Sequence, residues 1–157
     1  MRDLGFDASP VDPAVEELEQ EDWRESNPRK ALRRSVETFC ARARCDAPDL
    51  GRAIETERPD AVIVDIQSWG ALAAAEAWGG AWASFCPYPM PLPSPHAPPF
   101  GPGLPPARGP LGRLRDRALR PVVFGTVEKI VVERLNEVRS DRGLAPVDAT
   151  SMFSRPR

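Results

Sequence analysis

The residues best suited to chemistry form a short series: Asp65, Ser68 and Trp69. Asp65 ends Ala61-Val62-Ile63-Val64, an apolar run rich in β-branched residues and bounded upstream by Pro59. Such a run predicts a parallel-sheet strand covered on both faces. A carboxylate at its carboxyl end can orient and charge a histidine base, or it can cap the following helix. The residues alone leave both roles open. Ser68 and Trp69 divide the same way, between the lining of a pocket and the cap and core face of a helix.

Other reactive side chains give less. His96 is the single histidine and lies in a proline-rich stretch. A Ser68/His96/Asp65 triad is not expected, because there is no Gly-x-Ser-x-Gly elbow and such a loop does not hold a histidine in fixed geometry. Cys40, Cys45 and Cys86 lack CxxC spacing and read as reduced core thiols of a cytoplasmic protein, with no metal site. Arg108, Arg113, Arg115, Arg117 and Arg120 read as a solvated helix face rather than a phosphate site.

The elements that must position Asp65 are legible. Ser68 is placed to cap a small-residue helix that runs to Trp78 and stops at Gly79-Gly80. Trp82 to Cys86 reads as the next strand, so the unit is a right-handed βαβ crossover. Ligands of open α/β sheets bind beyond the carboxyl ends of the strands, where Asp65 and the loop after Cys86 both fall. Upstream, Leu4 to Ala8 is a doubtful short strand and Asp12-Pro13 a helix opening. Asn27-Pro28 opens a longer helix with Leu32, Val36, Phe39, Cys40 and Ala43 on one face. Pro48 should kink or break it, leaving a last piece with Leu50 and Ile54. Downstream, Leu111 to Leu119 predicts a basic helix. A second helix runs from Pro121 to about Arg142, with Gly143 as its cap.

Composition narrows the class. The chain has 157 residues, 41% of them hydrophobic and 28% charged, with a net charge of −2. That fits a globular domain and argues against nucleic acid as a partner. No apolar run approaches the roughly 20 residues of a membrane span, and Met1-Arg2-Asp3 begins no secretion signal. Of 19 prolines, eleven fall between Pro87 and Pro110, which predicts an extended, polyproline-like surface loop. Its apolar residues Pro87, Tyr88, Met90, Leu92 and Phe100 suit the wall of a pocket for an apolar ligand. Two clear strands are too few for a stable sheet. The chain reads as a piece from the middle of a larger α/β domain.

Three segments carry a resemblance. The run RPDAVIVDIQSWGALAAAEAWGGAWASFCPYP, the loop Pro98-Pro99-Phe100-Gly101-Pro102-Gly103, and Leu135-Asn136-Glu137-Val138-Arg139 with Gly143-Leu144 resemble bacterial UDP-glycosyltransferases of the GT-B fold. The likeness is to their N-terminal acceptor-binding domain, from about its third strand, and covers Leu4 to about Val147. It implies an α/β fold with a partial Rossmann-like parallel sheet flanked by helices. Residues 1–147 would be a partial acceptor-binding domain, 87–110 its acceptor loop and 148–157 a frayed tail.

In that family a histidine deprotonates the acceptor hydroxyl and an aspartate orients it; Asp65 matches the aspartate, and nothing here matches the histidine. The resemblance implies an inverting transferase that moves a sugar from a nucleotide-sugar co-substrate, without another cofactor, to an apolar small molecule. Ser68, Trp69, Pro87, Tyr88, Met90 and Phe100 would bind that acceptor. Without the base and the donor-binding half, this polypeptide alone is expected to be inactive, with an exposed sheet edge prone to self-association. The alternative is a non-catalytic interaction module that uses the Pro-x-x-Pro spacing between Pro87 and Pro99.

Overall fold

A computed structural model describes residues 4–88, 94 and 96–152. Two 3₁₀ turns, Pro13–Val15 and Asp22–Arg24, precede helix α1, Pro28–Glu57. Strand β1 (Ala61–Asp65), helix α2 (Trp69–Trp78) and strand β2 (Ala81–Phe85) follow. The chain then runs through helix α3 (Gly109–Val127), a π-helical segment (Glu128–Val132) and helix α4 (Glu133–Ser140). The fold class is therefore α/β, predominantly helical, with a small parallel sheet.

Local chemistry sets most boundaries. Asp12 accepts the Ala14 N–H at 2.9 Å and opens only a single 3₁₀ turn. Asn27 takes the N–H groups of Arg29 and Lys30, and Pro28 occupies the first turn, so α1 begins where a side-chain cap and proline agree. α2 ends on Gly79 at φ 75°, a left-handed position that a side chain would strain. After α4, Gly143 donates to Ser140 O and Leu144 to Arg139 O, with Gly143 at φ 68°. These are the two bonds of a Schellman stop.

Five expectations are corrected. Residues 4–8 form no strand, and Leu4 and Phe6 are exposed. Pro48 lies inside an unbroken α1. Its ring removes one helical N–H, at a cost of about 3 kcal/mol, yet Ala43, Asp46 and Ala47 around it are buried. Packing outweighs the local defect. Pro121 likewise lies inside α3 rather than opening a second helix. Asp148 begins an ordered turn: its carboxylate takes hydrogen bonds from Thr150 and Ser151, which hold its pKa down at about 2. The turn delivers Met152 into the core, so the tail is packed to that residue. Finally, the described residues cover the sheet on one face only.

The main core joins Val36 and Ala43 of α1, Trp69 of α2, Ile130 to Val132, Leu135 and Met152. A smaller cluster seats Val64, Leu72 and Ala75 with Val62, Leu50 and Trp82, fixing α2 on the sheet. α1 and α2 approach so closely at Gly70 that an added Cβ would lie 2.7 Å from Ala43 Cα. Backbone cannot yield as a side-chain tip can. Gly70→Ala is expected to destabilise the fold by about 1–3 kcal/mol, measured as a shifted urea midpoint at constant slope.

Candidate functional site

β1 and β2 pair in parallel, Ala61 opposite Ala81 through Asp65 opposite Phe85. Side chains alternate across a strand, so Val62, Val64 and Trp82 face α2 while Ile63, Asp65, Ala83 and Phe85 share the other face. That face is bare: Ile63 is 75% exposed and Phe85 55%. The expectation of a strand covered on both sides is therefore corrected. Among the described residues the sheet has two strands, and no third strand joins either side.

Asp65 stands at the carboxyl end of β1, half-buried. Its Oδ1 accepts the Gln67 N–H at 2.8 Å, and its backbone carbonyl accepts the Ser68 N–H at 3.0 Å. Ile66 N–H donates to Phe85 O at 2.9 Å, so the turn into α2 is tied to β2 as well. The second carboxylate oxygen, Oδ2, makes no hydrogen bond among the described residues. One oxygen holds the turn; among the described residues the other has no donor.

Ser68 occupies the N-cap position, but its hydroxyl makes no capping bond. Asp65 secures the turn in its place. Trp69, expected either to line a pocket or to pack in the core, lies in the core. Its ring is buried and meets Phe39 at 5.4 Å between centroids, in the α1–α2 core. Helical rotation from the cap turns it inward.

The loop residues separate. Tyr88 lies close enough to Asp65 and Gln67 to feel both; burial pushes its phenol pKa up, Cys86 and Asp65 add to this, and a side-chain hydrogen bond with Gln67 opposes it. Cys86 Sγ donates to the Tyr88 carbonyl at 3.1 Å, which folds the chain back at the end of β2. Pro87 is exposed, and so is Phe100, farther along the loop. Met90 and Leu92 lie outside the described residues. Gln67, which is not among the residues expected from the sequence, donates its N–H to Asp65 and lies near the Tyr88 phenol. Its signal was its place between a strand-end acid and a helix start.

The thiols of Cys40, Cys45 and Cys86 are unpaired and half-buried rather than fully in the core. Among the described residues no group of three or more His, Cys, Asp or Glu is arranged to hold a metal ion. No helix of the described residues is long and apolar enough to cross a membrane. Comparison with protein-family models, curated proteins and solved structures finds no match.

The arginines hold a surprise. His96, Ala107, Arg113, Asp116, Arg117 and Arg120 line an open cleft of about 430 Å³ between α3 and the preceding segment. Arg113 and Arg117 are exposed, as expected of a solvated helix face, and they also line this open, concave surface.

Proposed function

We propose that this chain is part of the acceptor-binding domain of an inverting glycosyltransferase of the GT-B fold. The observation that carries the reading is Asp65: a strand-end carboxylate with one oxygen committed to its own turn and the other without a hydrogen bond among the described residues. That arrangement suits an acid that receives an imidazole N–H, fixes the ring's tautomer and stabilises the imidazolium. The base histidine would come from a strand and loop outside these residues. The imidazole would take the proton of an acceptor hydroxyl, which then displaces the nucleotide at the anomeric carbon of the sugar.

The acceptor is an apolar small molecule bearing a hydroxyl. Pro87, Tyr88 and Phe100 offer exposed apolar surface beyond β2, with the Tyr88 phenol beside Gln67 and Asp65 for a polar contact. Titrating the chain with a hydroxylated aromatic compound tests this part. Amide shifts at Gln67, Phe85 and Tyr88 support it, and shifts confined to α1 would contradict it. A cytoplasmic setting agrees with three thiols left unpaired.

The bare sheet face has its own consequence. Parallel sheets are covered on both sides, and two strands alone are marginal. The chain is expected to self-associate through Ile63, Phe85 and the open edges, and Ile63→Lys to shift it toward monomer in sedimentation velocity. A wild-type monomer in dilute solution would refute this. The same open sheet is what a non-catalytic module would offer a partner. Sugar transfer by this polypeptide alone would exclude that alternative.

A further inference from the structure

The cleft beside α3 is built rather than incidental. Arg120 reaches from the helix to the carbonyls of Ser94 and Ala97, the latter at 3.0 Å. Arg115 reaches the carbonyl of Pro105 at 2.7 Å and is itself fixed by the buried Asp116, also at 2.7 Å. Two arginines thus tie Ser94, Ala97 and Pro105 to the helix, and His96 and Ala107 line the cleft together with Arg113 and Arg117. Those two guanidinium groups have no hydrogen bond or ion pair among the described residues.

The charge of the cleft is unbalanced. Asp116 is matched by Arg115, and among the described residues Arg113, Arg117 and Arg120 form no ion pair. Their spacing, i, i+4 and i+7, sets them along one face, and like charges at that spacing destabilise a helix. A bound anion removes the repulsion. Guanidinium forks match phosphate oxygens in pairs, His96 adds a ring donor, and Ala107 gives the wall an apolar patch. We propose that this cleft binds the phosphoryl group of a small anionic ligand, with Arg113 and Arg117 as its principal contacts. The site is independent of the reading of Asp65.

Inorganic pyrophosphate is the probe. Added to the chain at low salt in calorimetry and amide NMR, it is expected to bind saturably and to shift His96, Ala107 and residues 113–120. Arg113→Gln/Arg117→Gln should weaken binding about tenfold or more. Arg29→Gln/Arg33→Gln, which removes the same charge from exposed positions on α1, should change it less than about twofold. Circular dichroism melts of both variants separate loss of the site from loss of the fold. Vesicles containing phosphatidic acid form the second arm: sedimentation with them, abolished by pyrophosphate, supports the same site with a lipid as the source of the phosphoryl group. Absence of binding to either probe, amide shifts elsewhere, or equal weakening by the two double variants would overturn the proposal.

Discussion

Glu76→Ala is expected to cost about 3–5 kcal/mol of folding stability, a large share of the roughly 5–15 kcal/mol that holds a domain together. Arg139 explains the size. Its guanidinium is 3% exposed, and it meets Glu76 through two bonds, Nη1 to Oε2 at 2.7 Å and Nη2 to Oε1 at 2.8 Å. Nε and Nη2 also donate to the Ala145 carbonyl, at 2.9 and 2.8 Å. The pair therefore ties α2 to α4 and to the chain just beyond the Schellman stop. Removing Glu76 leaves the buried cation only the Ala145 carbonyl among the described residues. At about 2–4 °C per kcal/mol for a chain of this size, the melting temperature should fall by roughly 6–20 °C. Glu76→Leu/Arg139→Met, which removes both charges and keeps the volume, should be less destabilising than Glu76→Ala. A melt of Glu76→Ala within a degree or two of wild type would show that the clamp carries little.

The sequence announced elements where side-chain and backbone signals agree. Asn27-Pro28 supplies a cap and a fixed φ together, and Gly143 supplies the left-handed residue that a Schellman stop requires. It misled where a local rule met tertiary packing. Pro48 and Pro121 each lack a helical N–H, but the deficit is local, while the packing of Ala43, Ala47 and Ile130 is not. Ala61-Val62-Ile63-Val64 has the pattern of a strand buried on both faces. The described residues cover one face, so Ile63 lies bare.

The site was legible in part. Asp65 was visible as a lone acid after an apolar strand. Its division of labour was not, because nothing in the spacing says which oxygen Gln67 would take. Trp69 stood near Asp65 in sequence, yet the first turn of α2 carries it into the core against Phe39. The arginine cleft was hidden for a different reason. Spacing shows that Arg113, Arg117 and Arg120 share a face, but the rest of the lining depends on contacts from Arg115 and Arg120 to loop carbonyls. Backbone acceptors leave no mark in a sequence.

Asp65→Asn is the substitution with the largest expected catalytic effect. Asparagine can still present a carbonyl oxygen to the Gln67 N–H, so the turn and the melting temperature should hold. The second position becomes an NH₂ donor, which cannot accept an imidazole N–H and would favour the wrong tautomer of the base. In an enzyme that contains the base histidine, the turnover number should fall by about 10²- to 10⁴-fold.

The direct measurement is to sequence the DNA on both sides of this frame, express the joined reading frame, and compare nucleotide-sugar transfer by wild type and Asp65→Asn. The expected result is a histidine-bearing, Gly-rich strand–loop upstream, transfer to a hydroxylated apolar acceptor, and a variant that is folded but nearly inactive. A variant that transfers sugar at the wild-type rate would contradict the role assigned to Asp65. A joined frame lacking any such histidine would contradict the glycosyltransferase reading.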